Sequence, residues 1–188
     1  EEQVEAIETA AGRIDADAYR TQVSALGLWE SARGAFGSAT EAQMRRCALD
    51  MKLGLLDKPI IPDILQPLLE WRRRLIERTG ALVCVRSSAL VEDRYGSSFA
   101  GQFESFLGLE EEAEFLTAVR ACWAALWMTR ALRYMATHDI DPADTAMALI
   151  LQPLIEARVA GGGLSRTADG EMLINAARGP GSRIAQGE

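Results

Sequence analysis

The chain has 188 residues, 48% of them hydrophobic and 25% charged, with a net charge of −7. That is enough apolar material for one or two cored domains and too much for a disordered chain. The acidic balance leaves no basic excess to displace counterions, which argues against nucleic acid as a partner.

The first third reads as helical. Residues 2–11 form a polar, acidic stretch with Val4, Ile7 and Ala11 on one side. Asp15 is placed to cap a helix on which Tyr19, Val23, Leu26 and Trp29 recur near helical period. Gly34 to Ser38 breaks the pattern, and Thr40 with Gln43 resembles a capping box for a helix through Met51. Pro59 and Pro62 punctuate the connection. Asp63 is expected to cap a long helix carrying Leu65, Leu68, Leu69, Leu75 and Ile76, which Gly80 ends. Arg72, Arg73, Arg74 and Arg78 on this helix read as a solvated face.

At Gly80 the helical period gives way to short apolar runs. Strands are expected over residues 81–86, 102–108, 146–155, 157–164 and 171–176, with 157–164 pairing with 146–155. Between them, residues 110–137 read as one long amphipathic helix with an acidic start. Its inward stripe is Val119, Cys122, Trp123, Leu126 and Trp127, aromatics at helical spacing that serve packing rather than ligand stacking. The fold class is α+β. A helical part covers residues 1–79, and a part with a mostly antiparallel sheet covers 80–188.

Cys47, Cys84 and Cys122 lie far apart, lack zinc-ligand spacing, and have only His138 to assist, so no metal site is expected. Cys84 and Cys122 sit in apolar settings and read as buried reduced thiols, which fits a cytoplasmic protein. The apolar runs are too short to span a membrane, and no signal peptide is expected.

Residues 82–107, LVCVRSSALVEDRYGSSFAGQFESFL, carry the most chemistry. A β-branched run delivers Arg86, Ser87 and Ser88 into a small-residue loop that closes on Gly101 and Gln102. A guanidinium supplies planar, bidentate charge, and small residues let backbone N–H groups approach phosphate oxygens. The plainer alternative is a solvated arginine before a serine-rich turn, or an ion pair of Arg86 with Glu92 or Asp93. Gln152 interrupts an apolar strand, where a buried amide needs partners; the alternative is an edge amide facing water.

At these residues the chain resembles a known family. VRSSA-x-x-ED followed by SFAGQ-x-ES-FL is similar to the nucleotide-binding domain of phosphoenolpyruvate synthase, pyruvate phosphate dikinase, rifampin phosphotransferase and phenylphosphate synthase. The likeness continues through Cys122-Trp123-Ala124-Ala125-Leu126-Trp127, Arg130-Ala131 to Tyr134, and MALILQPLIE over residues 147–156. It implies an ATP-grasp-like fold that binds ATP with Mg2+. A phosphoryl group would pass to a carrier histidine on another domain or subunit, then to a small acceptor bound elsewhere. By this resemblance Arg86 touches the transferred phosphates and acts catalytically, and Ser87, Ser88, Gly101 and Gln102 belong to the flap over them. Gln152 and the backbone near Leu154 lie beside adenine. His138 lacks the carrier's glycine-rich context and reads as a helix-end surface residue.

The chain departs from the family pattern in three places, and it is expected to be shortened at both ends. EEQVEAIETAAG stands where a glycine-lysine loop is usual, and the first lysine is Lys52. Gly161-Gly162-Gly163-Leu164-Ser165-Arg166 replaces a threonine and Asn-Pro or Asp-Pro segment. A GLGE tetrad appears as Gly179-Pro180-Gly181-Ser182, with serine at the magnesium-assisting acid. Two other readings stay open: a degenerate, non-catalytic nucleotide-binding or regulatory module, and a protein-interaction domain using the first helices and Arg72 to Arg74.

Overall fold

The computed structural model describes residues 12–36, 40–90, 103 and 105–181. The acidic stretch before Gly12, the loop residues Glu92, Asp93, Gly101 and Gln102, and Ser182 lie outside the described residues. Those that are described form an α+β fold. The chain divides into two compact units, Glu1–Leu154 and Ile155–Glu188. The division falls after Leu154 rather than at Gly80, because the early helices and the strands after Gly80 share one core.

In the first unit a short strand β1 (Gly12–Ile14) leads into helices α1 (Ala16–Ala25), α2 (Trp29–Phe36), α3 (Glu41–Asp57) and α4 (Pro62–Thr79). The part in which helices were expected to dominate thus also contributes a sheet strand. Asp15 caps α1 by accepting from the Asp17 amide at 3.2 Å, and Thr40 caps α3 by accepting from the Gln43 amide at 3.2 Å. The cap expected at Asp63 is instead Ile61. Proline at the first helical position presets φ for Pro62, and the Asp63 carboxylate falls in the first turn, where the helix dipole favours it. Gly80 ends α4 in the left-handed conformation at φ 63°. On the α4 surface Glu70 receives Arg73 and Arg74 at 2.8 and 2.7 Å, and Arg73 also reaches Glu77. The Arg73 and Arg74 hydrogen bonds push the Glu70 carboxyl down to about 2.

Strands β2 (Val83–Ala89) and β3 (Ser105–Leu109) follow, then α5 (Glu112–Ala124), a 3-10 turn (Ala125–Trp127), α6 (Thr129–Thr137) and β4 (Met147–Pro153). The sheet order is β1-β4-β2-β3, and every neighbouring pair is antiparallel. The long helix expected over 110–137 is broken. Ala124, Ala125, Leu126 and Trp127 are all buried, and consecutive helical residues, 100° apart, cannot all face one core. Tightening into a 3-10 turn and extending Met128 (ψ 147°) re-aims the chain. Trp127 then donates its indole N–H to the buried Tyr19 hydroxyl at 2.9 Å. Burial raises the Tyr19 phenol above the ordinary tyrosine range.

A second buried link joins α1 to the connection before α4. The Gln22 amide, 1% exposed, donates to the Pro59 carbonyl at 2.9 Å and accepts from the Ile61 N–H at 3.0 Å. Gln22→Ala strands both backbone groups, each at a cost of about 1–3 kcal/mol. The urea midpoint of the variant is expected to fall with the slope unchanged, and an unmoved midpoint would refute the link.

The second unit holds a hairpin of β5 (Val159–Leu164) and β6 (Leu173–Arg178). Residues 157–164 were expected to pair with β4, but β4 already has β1 on one edge and β2 on the other. The chain turns back instead through Thr167, whose N–H donates to the Glu171 carbonyl at 2.7 Å. The single sheet expected from five strands is therefore a four-stranded sheet and a separate hairpin.

Candidate functional site

The register of β2 against β4 decides what the sheet displays. Antiparallel partners share a face, and residues two apart along a strand return to it. Val83, Val85, Ser87 and Ala89 pair with Pro153, Leu151, Leu149 and Met147. All of these except Ser87 are buried, so this face is the core face. Cys84, Arg86 and Ser88 pair with Gln152, Ile150 and Ala148 on the other. There Arg86 is exposed, Ser88, Ile150 and Gln152 are half-buried, and Cys84 and Ala148 are buried, so the face is open only in part.

Arg86 and Gln152 are thus diagonal neighbours on one face, about 7–8 Å apart between their backbones. Neither side chain has a hydrogen-bond or ion-pair partner among the described residues, so both present unspent polar groups. Ser88 lies next to Arg86 on the same face, toward the loop that follows β2. Ser87 points the other way, paired with the fully buried Leu149. Its hydroxyl is turned from Arg86, and only its backbone could serve a ligand on the open face. Leu154 lies just beyond β4, where its N–H donates to the Leu82 carbonyl at 2.7 Å and extends the ladder by one rung.

The open face is graded along the strands. From the Arg86–Ile150 rung to the Leu82–Leu154 rung is four residues, about 13 Å at ~3.3 Å per residue. The Arg86 end is polar, with Ser105 opposite on β3. Toward Leu154 it becomes an aliphatic shelf with one amide: Ile150, Leu154, Leu82 (41% exposed) and Leu107 (60% exposed) around Gln152. The register of β3 shifts between Val83 and Val85, and Gly108 absorbs the shift at φ 69°. Leu154 and Leu82 lie over Gly108, where an added Cβ would sit 3.6 and 3.8 Å from them. Flat apolar contact and a lone amide suit a heteroaromatic base, while an arginine and a hydroxyl suit phosphate.

Ser105, Leu82, Leu107 and Ile150 were not singled out from the sequence. Single serines and leucines in strands carry no motif; only cross-strand register assigns them to the face that holds Arg86. Among the described residues no group of three or more His, Cys, Asp or Glu side chains is placed to share a metal ion. His138 caps the end of α6, stacked on Tyr134 at 4.1 Å with Nδ1 2.9 Å from the Tyr134 carbonyl. Cys84 and Cys122 are buried thiols, and Cys47 is half-buried. No helix among the described residues is long and apolar enough to cross a membrane.

Comparison with known proteins decides the family. The pyruvate phosphate dikinase AMP/ATP-binding domain matches residues 3–188. The chain belongs to that family. Three relatives illustrate its range. A phosphoenolpyruvate synthase of Aeropyrum pernix is 37% identical over 106 residues, 55% of this chain and 13% of the relative. An uncharacterized phosphotransferase of Bacillus subtilis is 38% identical over 109 residues, 56% of this chain and 13% of the relative. A probable phosphoenolpyruvate synthase of Methanocaldococcus jannaschii is 30% identical over 187 residues, 93% of this chain but 16% of the relative. The chain therefore spans about a sixth or less of the length of these curated relatives. The ATP-grasp-like α+β architecture and the ATP-binding character of the domain follow from membership in the dikinase family.

Proposed function

We propose that this chain is the ATP-binding module of a dikinase-like phosphotransferase. In the complete system a phosphoryl group passes from ATP to a carrier histidine on another domain or subunit, and then to a small-molecule acceptor. The observation that supports the reading most is the open sheet face. Among the described residues it presents an unpartnered guanidinium and, diagonally across on the next strand about 7–8 Å away, an unpartnered amide that borders the aliphatic shelf.

In this reading Arg86 lies along the β- and γ-phosphates and offsets the charge that spreads over the transferring group, which is most of what such transfer requires. The Ser88 hydroxyl and the backbone at Ser87 hold phosphate oxygens, and Gly101 and Gln102 are assigned to the same group. The Gln152 amide and the backbone at Leu154 meet the edge of the base, while Leu82 and Leu107 cover its face. Magnesium would arrive with the triphosphate and help neutralise it. The described residues include no cluster to hold the ion, and no step of this scheme is derived through it. A cytoplasmic location follows the same reading, since the nucleotide is an intracellular metabolite.

A second reading is a regulatory module that binds nucleotide without passing a phosphoryl group on. It is favoured by Ser182, which stands where the family pattern has an acid. The lost charge-assisted contact, at about 1.5–3 kcal/mol, would carry a micromolar site to ~10 μM or weaker. The 188-residue chain alone is expected to bind Mg-ATP weakly and not to consume it. Calorimetry with a non-hydrolysable ATP analogue, followed by an ATP consumption assay with and without a carrier-histidine domain, tests this. Robust turnover by the chain alone would contradict the assignment of roles. Absence of any nucleotide binding would leave the protein-interaction reading in its place.

A further inference from the structure

We infer that the first unit carries a second ligand site, between α3 and α6, that takes a small amphipathic anion. A cavity of about 530 Å³ opens there, within the range of small-molecule pockets. Its α3 wall is built from one stripe: Glu41, Arg45, Ala48, Leu49 and Lys52 recur at three- and four-residue spacing. The facing wall is the start of α6, where the chain leaves the 3-10 turn at Met128.

The lining has an apolar floor and a cationic rim. Met44, Trp127, Met128 and Leu132 supply the floor, and Leu49 stands at the mouth, 52% exposed. Lys52 comes from one wall and Arg133 from the other. Neither has a hydrogen-bond or ion-pair partner for its charged head among the described residues. The carboxylate in the lining, Glu41, is already neutralised by Arg45 at 2.6 Å. The cavity is therefore locally positive in a chain whose net charge is −7.

Cations supplied by both walls suit a carboxylate or phosphate head, while the floor prefers hydrocarbon over water. The ligand class is thus an anion with an aliphatic or aromatic body, free in solution. Methionines at two positions of the floor can repack around bodies of different shape. None of these residues belongs to the open sheet face, so the site stands independently of the nucleotide reading.

The test uses the chain labelled with ¹⁵N and titrated with decanoate below its micelle concentration. Decanol serves as the uncharged match and Mg-ATP as the probe of the other site. Decanoate is expected to shift the amides of residues 41–52 and 127–133 saturably. Decanol should bind at least about ten-fold more weakly. The Lys52→Ala/Arg133→Ala variant should lose a similar factor for decanoate while its ATP response stays unchanged. Arg133→Gln alone, with a smaller loss, serves if the double variant is poorly folded. The proposal is overturned by equal affinities for decanoate and decanol, by a variant that binds as the parent does, or by shifts confined to the hairpin. Binding seen only with anionic vesicles and not with the monomeric anion would overturn it as well.

Discussion

Arg86→Ala is expected to weaken Mg-ATP binding by at least about ten-fold and to leave the fold intact. The side chain is exposed and has no partner among the described residues. Its removal should therefore change stability by no more than ~0.5 kcal/mol. The loss in affinity is that of a charged hydrogen bond to phosphate, about 1.5–3 kcal/mol. Arg86→Lys should recover part of it, because an ammonium keeps the charge but not the bidentate fork. Gln152→Ala supplies the contrast. It should weaken AMP and ATP by similar factors, because it acts at the base, whereas Arg86→Ala should scarcely affect adenosine. Equal ATP affinity in parent and Arg86→Ala, measured by NMR titration into the millimolar range, would remove the guanidinium from the site.

How much of this was legible without coordinates differs by level. The helix starts at Asp15 and Thr40 and the stop at Gly80 could be read from local rules, since a cap depends on residues a few positions apart. The strands could be placed to within a few residues for the same reason. Pairing could not. That residues 157–164 turn back on 173–178 rather than join β4 depends on which edges of β4 are taken, and β1 is a three-residue strand too short to read. The break after Ala124 was equally hidden. No proline or glycine marks it; what forces it is burial on all sides, a tertiary fact overriding a helical pattern.

The candidate site shows the same division. Arg86 and Gln152 could be singled out because each is polar in an apolar run. Their shared face could not be read off, because a one-residue slip in register would have put them on opposite sides. The same slip explains Ser87. Adjacent to Arg86 in sequence, it was grouped with it, yet period two sends its hydroxyl into the core face. The aliphatic shelf of Leu82, Leu107 and Ile150 emerged only from the register, as did the bulge at Gly108 that re-aligns β3.

The largest effect on stability is expected at Trp123, and its comparison with Trp127 carries the information. Both indoles are buried, at 0% and 3% exposure, and both lie where the long helix was expected to run. Trp123→Ala should cost about 3–5 kcal/mol, a large part of the ~5–15 kcal/mol that holds a domain of this kind together. Phenylalanine at each position separates packing from hydrogen bonding. The Trp123 Nε1 meets no acceptor among the described residues, so Trp123→Phe removes area and a poorly satisfied donor together. The Trp127 Nε1 donates to the Tyr19 hydroxyl, so Trp127→Phe strands a phenol in the core at a further ~1–3 kcal/mol. Trp127→Phe should therefore be the more damaging of the two phenylalanine variants. Adding Tyr19→Phe should restore part of the loss, because replacing both partners by apolar groups abolishes the stranded hydroxyl. Urea unfolding of the four variants and a double-mutant cycle across Tyr19 and Trp127 measure this. A cycle that closes with no interaction energy would mean that the bond joining α1 to the 3-10 turn contributes nothing. The break in the helix would then have to be explained by packing alone.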